Sequence, residues 1–384
     1  MPHISERELE LPSGVIDKLM AISAEHPEII SLGPGEPDFV TPKPILDYAK
    51  KVIYKSSRYT SPTGKHELKE AIVKKLRKEN KINTNPENII VTTGSQEGLF
   101  AVMLATLDPT EQVILQNPSY LGYIPIIDLI NAVPVYTKVS QENNFEIIPE
   151  DVEKQIEKGK TKAILINTPN NPTGNVLSKK VLEKLADIAV NNDLYIFSDE
   201  AYEKLIYDDN KHISVGSLNG MQDYVASFYT FSKSYAMCGF RIGYCNIPKK
   251  LITPVTKTTH YMTLCPNNLS QHSAVKALSL NNSYTNKMVK EYDKRRKYIV
   301  KELNDIGLET KLPQGAFYAF SDITQVTNKK STEFAKELLQ KCKVAVVPGT
   351  EFGKYGEGFI RVSYATKFEL IKKAITRLKK YLVS

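Results

Sequence analysis

The stretch "YTFSKSYAMCGFRIGY", from Tyr229 to Tyr244, places a lysine between two serines directly after an apolar and aromatic run. Ammonium groups are costly to bury, so Lys233 taken alone reads as a solvated residue at a strand end. Its company changes that reading. Asp199 and Tyr202 close "LYIFSDEAY", Ser95 and Gln96 follow "NIIVTTG", Tyr120 follows "QVILQNPS", and Asn171 lies in "NTPNNPTG". Each has a plain alternative: Asp199 as a cap on a backbone amide, "NTPNNPTG" as a structural loop, "TTGSQ" as an N-cap. The same "TTGSQ" geometry also offers helix N-terminal N–H groups to a phosphate. Arg241 and Arg361 are harder to set aside. Both sit inside strand-like runs, "GFRIGY" and "GFIRVSYAT", and a buried guanidinium requires an anion.

The elements that must position these residues alternate. From about residue 88 to 245, short β-rich runs are followed by helical patterns: "NIIVTTG" before 96–107, "QVILQNP" before "LGYIPIIDLINA", "VPVYTKV" before "IPEDVEKQIEKG". "KAILINTP" precedes "SKKVLEKLADIAVNN", with Ser178 as candidate N-cap, and "LYIFSDEAY", "VASFYTFSK" and "FRIGYCNIP" continue the series. Such alternation predicts a mainly parallel sheet between helices, with ligands bound outside the carboxyl ends of the strands. All the residues above except the two arginines fall at that edge. The two chain ends read differently, as a long charged helix and short strands. The expected organisation is a large α/β domain over 46–284 and a smaller α+β domain formed by 1–45 with 285–384.

Composition bounds the rest. The chain has 384 residues, 41% hydrophobic and 24% charged, with 51 Lys+Arg against 43 Asp+Glu and a net charge of +8. The lysines are spread along helical patterns such as "AIVKKLRKENK" and "LIKKAITRLKKYL", which read as solvated helix faces and not as a nucleic-acid surface. No apolar run is long enough for a membrane span, and "MPHISERELELPSG" lacks the apolar core of a signal peptide, so a cytoplasmic protein is expected. Four cysteines without a Cys-x-x-Cys pair read as free thiols, and the histidines show no zinc spacing, so no metal is expected. Neither a P-loop nor a Gly-x-Gly-x-x-Gly after a strand is present.

A lysine, an aspartate, an aromatic ring, a phosphate cup and an arginine together suit one cofactor, pyridoxal 5′-phosphate. "LGPGEPDF", "YTSPTGKHELKEAI", "NTPNNPTG", "SDEAY", "SKSYAMCGFRIGY" and "FIRVSYAT" occur in an order that resembles the fold type I, class I/II aminotransferases. The resemblance covers about residues 30 to 382 and points to the subgroup holding prokaryotic aspartate and aromatic-amino-acid aminotransferases. It implies a large domain with a mainly parallel seven-stranded sheet, and it implies roles. Lys233 would be the Schiff-base lysine and proton shuttle, and Asp199 would pair with the pyridine nitrogen. Asn171 and Tyr202 would bond the ring hydroxyl oxygen, and Tyr120 would stack on the ring. Ser95, Gln96, Ser232 and Arg241 would hold the phosphate, while Arg361, with Gly35 and Asn171, would hold the substrate α-carboxylate. Tyr59 would reach the phosphate of the neighbouring subunit, which implies a homodimer with its active sites at the interface.

The resemblance leaves chemistry and substrate partly open. A C–S lyase or β-elimination enzyme would share the lysine, aspartate and arginines. Tyr120 stands where aspartate-specific members often have Trp, Cys238 where Thr is common, Phe240 where Trp is common, and Lys69 where Arg is common. Aromatic lining from Tyr120, Tyr59 and Phe240 suits an aromatic donor. A distal carboxylate would need Gln96, a backbone N–H or a group of the partner subunit. The expected donor is therefore aspartate or an aromatic amino acid, with 2-oxoglutarate as acceptor. Asn117–Pro118 and Asn171–Pro172 are the expected cis peptide bonds.

Overall fold

The structure is a computed structural model that describes residues 3–11, 18, 21, 22, 25–218 and 220–383. Parts of the N-terminal segment assigned above to the smaller domain lie outside the described residues.

The short strand β1 (Ile30–Ser31) precedes seven strands that build the central sheet. These are β2 (Ile89–Thr92), β3 (Gln112–Asn117), β4 (Val133–Lys138), β5 (Thr161–Asn167), β6 (Tyr195–Asp199), β7 (Val225–Thr230) and β8 (Gly243–Asn246). Their spatial order is β2-β8-β7-β6-β5-β3-β4. All neighbours pair in parallel except β8, which runs antiparallel to both β2 and β7. Interior strands such as β5 and β6 are apolar and buried on both faces because helices cover both sides, whereas edge strand β4 leaves Val133 exposed. Reversing one strand still leaves the carboxyl ends of the other six at a single edge, where the chemistry-bearing residues collect.

The expected helices form with adjustments. Ser178 caps the helix Lys179–Asn191, its hydroxyl accepting from the Val181 N–H at 3.4 Å. The helical pattern over 148–159 yields only Pro149–Glu153, and Gly159 follows in the left-handed region at φ +87°. In "LIKKAITRLKKYL", Ile371, Ile375 and Leu378 are buried on one face of the helix Phe368–Leu382, as the periodicity predicts. "AIVKKLRKENK" departs from its pattern at Lys75, which is buried. Among the described residues no helix is long and apolar enough to cross a membrane.

Past the helix Ser283–Asn304, β9 (Glu309–Thr310), β10 (Tyr318–Asp322), β12 (Val347–Pro348) and β13 (Phe359–Ser363) form an antiparallel sheet in the order β12-β13-β10-β9. The strand β11 (Val344–Ala345) pairs in parallel with β1, tying the N-terminal segment to the C-terminal one. One core joins Ile30 and Leu32 to Tyr292, Leu303, Phe317, Val362 and Ile375. Ile45 packs instead with Leu68, Ile72 and Ala274, beside the central sheet. A boundary at 45 therefore falls within the helix Lys43–Val52, and one at 284 within Ser283–Asn304.

Candidate active site

A cavity of about 260 Å³ opens at the carboxyl edge of the central sheet and is closed from the other side by Gly35, Tyr318 and Arg361. Eleven of the residues singled out from sequence line it: Gly35, Ser95, Gln96, Tyr120, Asn171, Asp199, Tyr202, Ser232, Lys233, Arg241 and Arg361. Tyr59 does not. It is 83% exposed and lies outside the cavity.

Lys233 sits one turn beyond the strand end. β7 stops at Thr230, whose hydroxyl accepts from the Ser232 N–H at 3.1 Å and starts the short helix Phe231–Ser234. The lysine is only part-buried. Its Nζ donates to the Gly35 carbonyl at 2.5 Å and lies 5.9 Å from the ring centres of Tyr202 and Phe317. An ammonium that keeps access to an open cavity retains water as a partner, which removes the cost of complete burial.

Asp199 is buried at the tip of β6. Its Oδ2 accepts from the Tyr123 hydroxyl at 2.7 Å and its Oδ1 from the Ala201 N–H at 3.0 Å. Burial nevertheless dominates and pushes its carboxyl up to about 6. Such a carboxylate gains from a cation placed against it. Tyr202 and Tyr123 are phenols that burial holds well above the ordinary range, so both remain protonated donors.

At the other end of the cavity lies a cradle for an anion. Gly94, at φ +82°, turns the chain from β2 into the helix Ser95–Thr106, whose first N–H groups have no intrahelical acceptor. Gly243 packs against this turn so closely that a Cβ would stand 2.7 Å from the Gly94 carbonyl carbon and 2.8 Å from the Ser95 nitrogen. Arg241 corrects the sequence reading. It is exposed, precedes β8 instead of lying in a strand, and holds φ +48°, unusual for a residue with a side chain. The turn Cys238–Phe240 forces that conformation and aims the guanidinium at Gly94, with Nη1 on the Cys238 carbonyl at 3.1 Å and Nη2 on the Thr93 carbonyl at 3.4 Å.

Arg361 fulfils the expectation that Arg241 did not. It is 1% exposed, on β13, with Nη1 donating to Asn171 Oδ1 at 3.0 Å and Nη2 to the Gly33 carbonyl. Its Nε has no acceptor among the described residues. A buried guanidinium with an unspent donor is a receptor for an anion.

Three contributors escaped sequence reasoning. Tyr123 opens an apolar helix and carries no mark separating it from core. Tyr318 lies in "GAFYAF", where an aromatic at a strand position reads as packing. Asn167, flagged only as part of a loop, donates from Nδ2 to the Asp199 carbonyl at 3.1 Å and orders the tip of β5 against β6. Phe240, expected in the lining, faces a neighbouring surface groove with Thr41 and Ser270; Tyr202 and Tyr318 provide the aromatic walls instead. Asn117–Pro118 and Asn171–Pro172 are cis as expected, and Thr168–Pro169 is cis as well.

The sequence matches the family described as aminotransferase class I and II over residues 27–378. It is similar to an aspartate aminotransferase of Pyrococcus abyssi, 43% identical over 96% of this chain and 95% of the relative. It is also similar to aromatic-amino-acid aminotransferase 2 of Thermococcus litoralis, 40% identical over 96% of this chain and 95% of that protein. The fold superposes on the aspartate aminotransferase of Thermus thermophilus solved with maleate, with a TM-score of 0.95 and 33% identity over the full length of both chains.

Proposed function

The chain belongs to the class I and II aminotransferases and is a transaminase, and from that premise we propose how its residues divide the work and what it acts on. The cofactor is pyridoxal 5′-phosphate, and the substrates are an L-amino acid and 2-oxoglutarate, with aspartate or an aromatic amino acid as donor. Three features fit the cofactor: a carboxylate raised by its burial, an N-terminal cradle that admits no side chain at Gly243, and a lysine lining the same cavity. When bound, the cofactor supplies an electrophilic carbon and a ring that accepts the electron pair left when the substrate Cα–H bond breaks.

The chain supplies the rest. Lys233 Nζ would hold the cofactor and is the group placed to carry the proton away from the substrate Cα. Asp199, ionised at neutral pH and held by Tyr123 and the Ala201 N–H, keeps a proton on the ring nitrogen. Tyr202 and the Asn171 amide donate to the ring hydroxyl oxygen, and Tyr120 covers the ring face. The N–H groups of Ser95 and Gln96, the Ser232 hydroxyl and Arg241 receive the phosphate. The single observation that carries the substrate reading is the unspent Nε of buried Arg361, which receives the α-carboxylate beside Asn171 and Gly35. Tyr120 Oη donates to Gln96 Oε1 at 3.3 Å, and the Gln96 amide is the proposed donor for a distal carboxylate.

The same reading makes the protein a homodimer. Tyr59 is exposed and outside its own cavity, which leaves it free to reach a neighbour's phosphate. Its neighbour Thr60 donates from its N–H to Cys265 Sγ at 3.4 Å, next to exposed Leu264, and Ile53, Tyr54, Tyr261 and Met262 are further exposed apolar side chains of these two segments. We divide each subunit into residues 46–284 and a smaller unit of 1–45 with 285–384, and place the enzyme in the cytoplasm, where four unpaired cysteines stay reduced.

The test is a donor screen against 2-oxoglutarate, paired with a half-reaction. An amino acid alone should convert the bound cofactor to its amine form without releasing ammonia. Ammonia release overturns transamination by these residues, and inert aspartate, phenylalanine and tyrosine overturn the donor assignment.

A further inference from the structure

Tyr318 has no role in the scheme above, yet it lines the same cavity and is 1% exposed. Its hydroxyl lies 2.8 Å from the Tyr202 hydroxyl. Its ring stands under the Arg361 guanidinium, 4.3 Å from Cζ to centroid, and meets the Tyr202 ring edge-on at 5.7 Å. The register explains the company. Arg361 on β13 faces Phe320 on β10, and Tyr318 faces Ser363, so Tyr318 and Arg361 project from one face of the same sheet. Gly35 leaves the space the phenol needs, since a Cβ there would stand 2.2 Å from the Tyr318 oxygen.

Two phenols sharing one hydrogen bond must divide two protons. Among the described residues Tyr202 is the only hydrogen-bond partner of the Tyr318 hydroxyl. If Tyr202 donated, the Tyr318 proton would be left without an acceptor in a buried position. If Tyr318 donates, the Tyr202 proton is free to turn into the cavity. The guanidinium over the Tyr318 ring face draws electron density from the phenol and favours the second arrangement.

We propose that Tyr318 is a positioning residue: its hydroxyl donates to Tyr202 and thereby aims the Tyr202 proton at the cofactor's ring hydroxyl oxygen. The inference rests on the proposed role of Tyr202. Because Tyr318 and Arg361 share a sheet face, it also ties the carboxylate clamp to the contact that tunes the cofactor. Charged and titratable groups facing this pair are Arg361, Lys233, Tyr120 and, beyond Tyr123, Asp199.

The test compares Tyr318→Phe, Tyr202→Phe and the double variant, all loaded with cofactor, by the pH midpoint of the visible absorbance. A donor on the ring hydroxyl oxygen stabilises its anionic form, so Tyr202→Phe raises the midpoint. Tyr318→Phe keeps the ring and its packing and should raise the midpoint less, on the order of half a pH unit, as expected for loss of one neutral hydrogen bond acting at one remove. The double variant should match Tyr202→Phe alone. An unchanged midpoint in Tyr318→Phe, with Tyr202→Phe shifted, overturns this inference and leaves the role of Tyr202 standing. A Tyr318→Phe shift that adds in full to that of Tyr202→Phe also overturns it. No shift in Tyr202→Phe refutes the Tyr202 assignment itself, and the inference with it.

Discussion

The tip of β6 sends side chains to two buried environments, and they are built on opposite principles. Asp199 and Tyr202 enter the cavity; Glu200 and Glu203 enter a network behind the sheet. Glu200 accepts from Ser198 at 3.1 Å, Ser214 at 2.5 Å and Tyr229 at 3.0 Å, and pairs with His212 at 2.8 Å. Glu203 takes Asn80 at 2.7 Å and the Lys75 ammonium, which also donates to Asn80 at 2.8 Å and lies 4.7 Å over the Tyr229 ring. Burial alone would raise the Glu200 carboxyl, but His212, Ser214 and Lys75 together hold it below the ordinary range. Asp199, equally deep with two donors and no close cation, is pushed the other way. Glu200, Glu203 and His212 could hold a metal ion by spacing, but Glu203 is already paired with the Lys75 ammonium. Polar groups saturated by the chain hold structure. Those left short by the fold mark where a ligand belongs.

The lysines give the sharpest way to break that contrast. Lys233→Ala should remove transamination, by roughly ten-thousand-fold or more, together with the cofactor's borohydride-reducible attachment, while leaving the melting temperature of the cofactor-free chain near normal. Reducible cofactor on another lysine would refute the assignment. Lys75→Met should do the reverse. It breaks a buried pair and costs about 3–5 kcal/mol of stability by chemical denaturation, with turnover per folded molecule largely kept. Equal loss of turnover in both variants would erase the distinction between the two environments.

The carboxylates follow. Asp199→Asn should retain cofactor but lower the rate on the order of a thousand-fold, since a neutral amide cannot keep the ring nitrogen protonated. Near-normal steady-state turnover in that variant would remove Asp199 from the chemistry.

How much of this was legible follows from what each signal encodes. Strand-end positions are fixed by local pattern, so Asp199, Asn171 and Ser95 could be placed at one edge from hydrophobic runs alone. Arg241 was misplaced because "FRIGYC" alternates like a strand, whereas the chain spends Cys238–Arg241 on a turn and begins β8 only at Gly243. Lys75 was misread for a related reason. A lysine on a helical pattern says nothing of which helix face meets a carboxylate from 128 residues away. Tyr318 and Tyr123 act through tertiary pairings to Tyr202 and Asp199, and no local period carries those.

The smallest effect isolates Asp199 from the network behind it. In the cofactor-free chain its carboxyl is raised from near 4 to about 6. Between those values the folded state binds a proton that the unfolded state has released, so stability falls as pH rises through this window and levels off above it. A shift of about two units corresponds to roughly 2–3 kcal/mol. Glu200 works in the opposite sense: held low when folded, it adds stability above its unfolded value that is lost only as pH falls. Raw stability curves mix the two, but the difference between wild type and Asp199→Asn does not. Urea denaturation of both cofactor-free proteins from about pH 4.5 to 7 should show the variant gaining on wild type by roughly 2 kcal/mol and then holding a constant lead. Loading wild type with cofactor should abolish that slope, because a ring cation against Asp199 supplies the partner the fold withholds. A pH-independent gap between the cofactor-free proteins would mean that Asp199, like Glu200, is already satisfied by the chain.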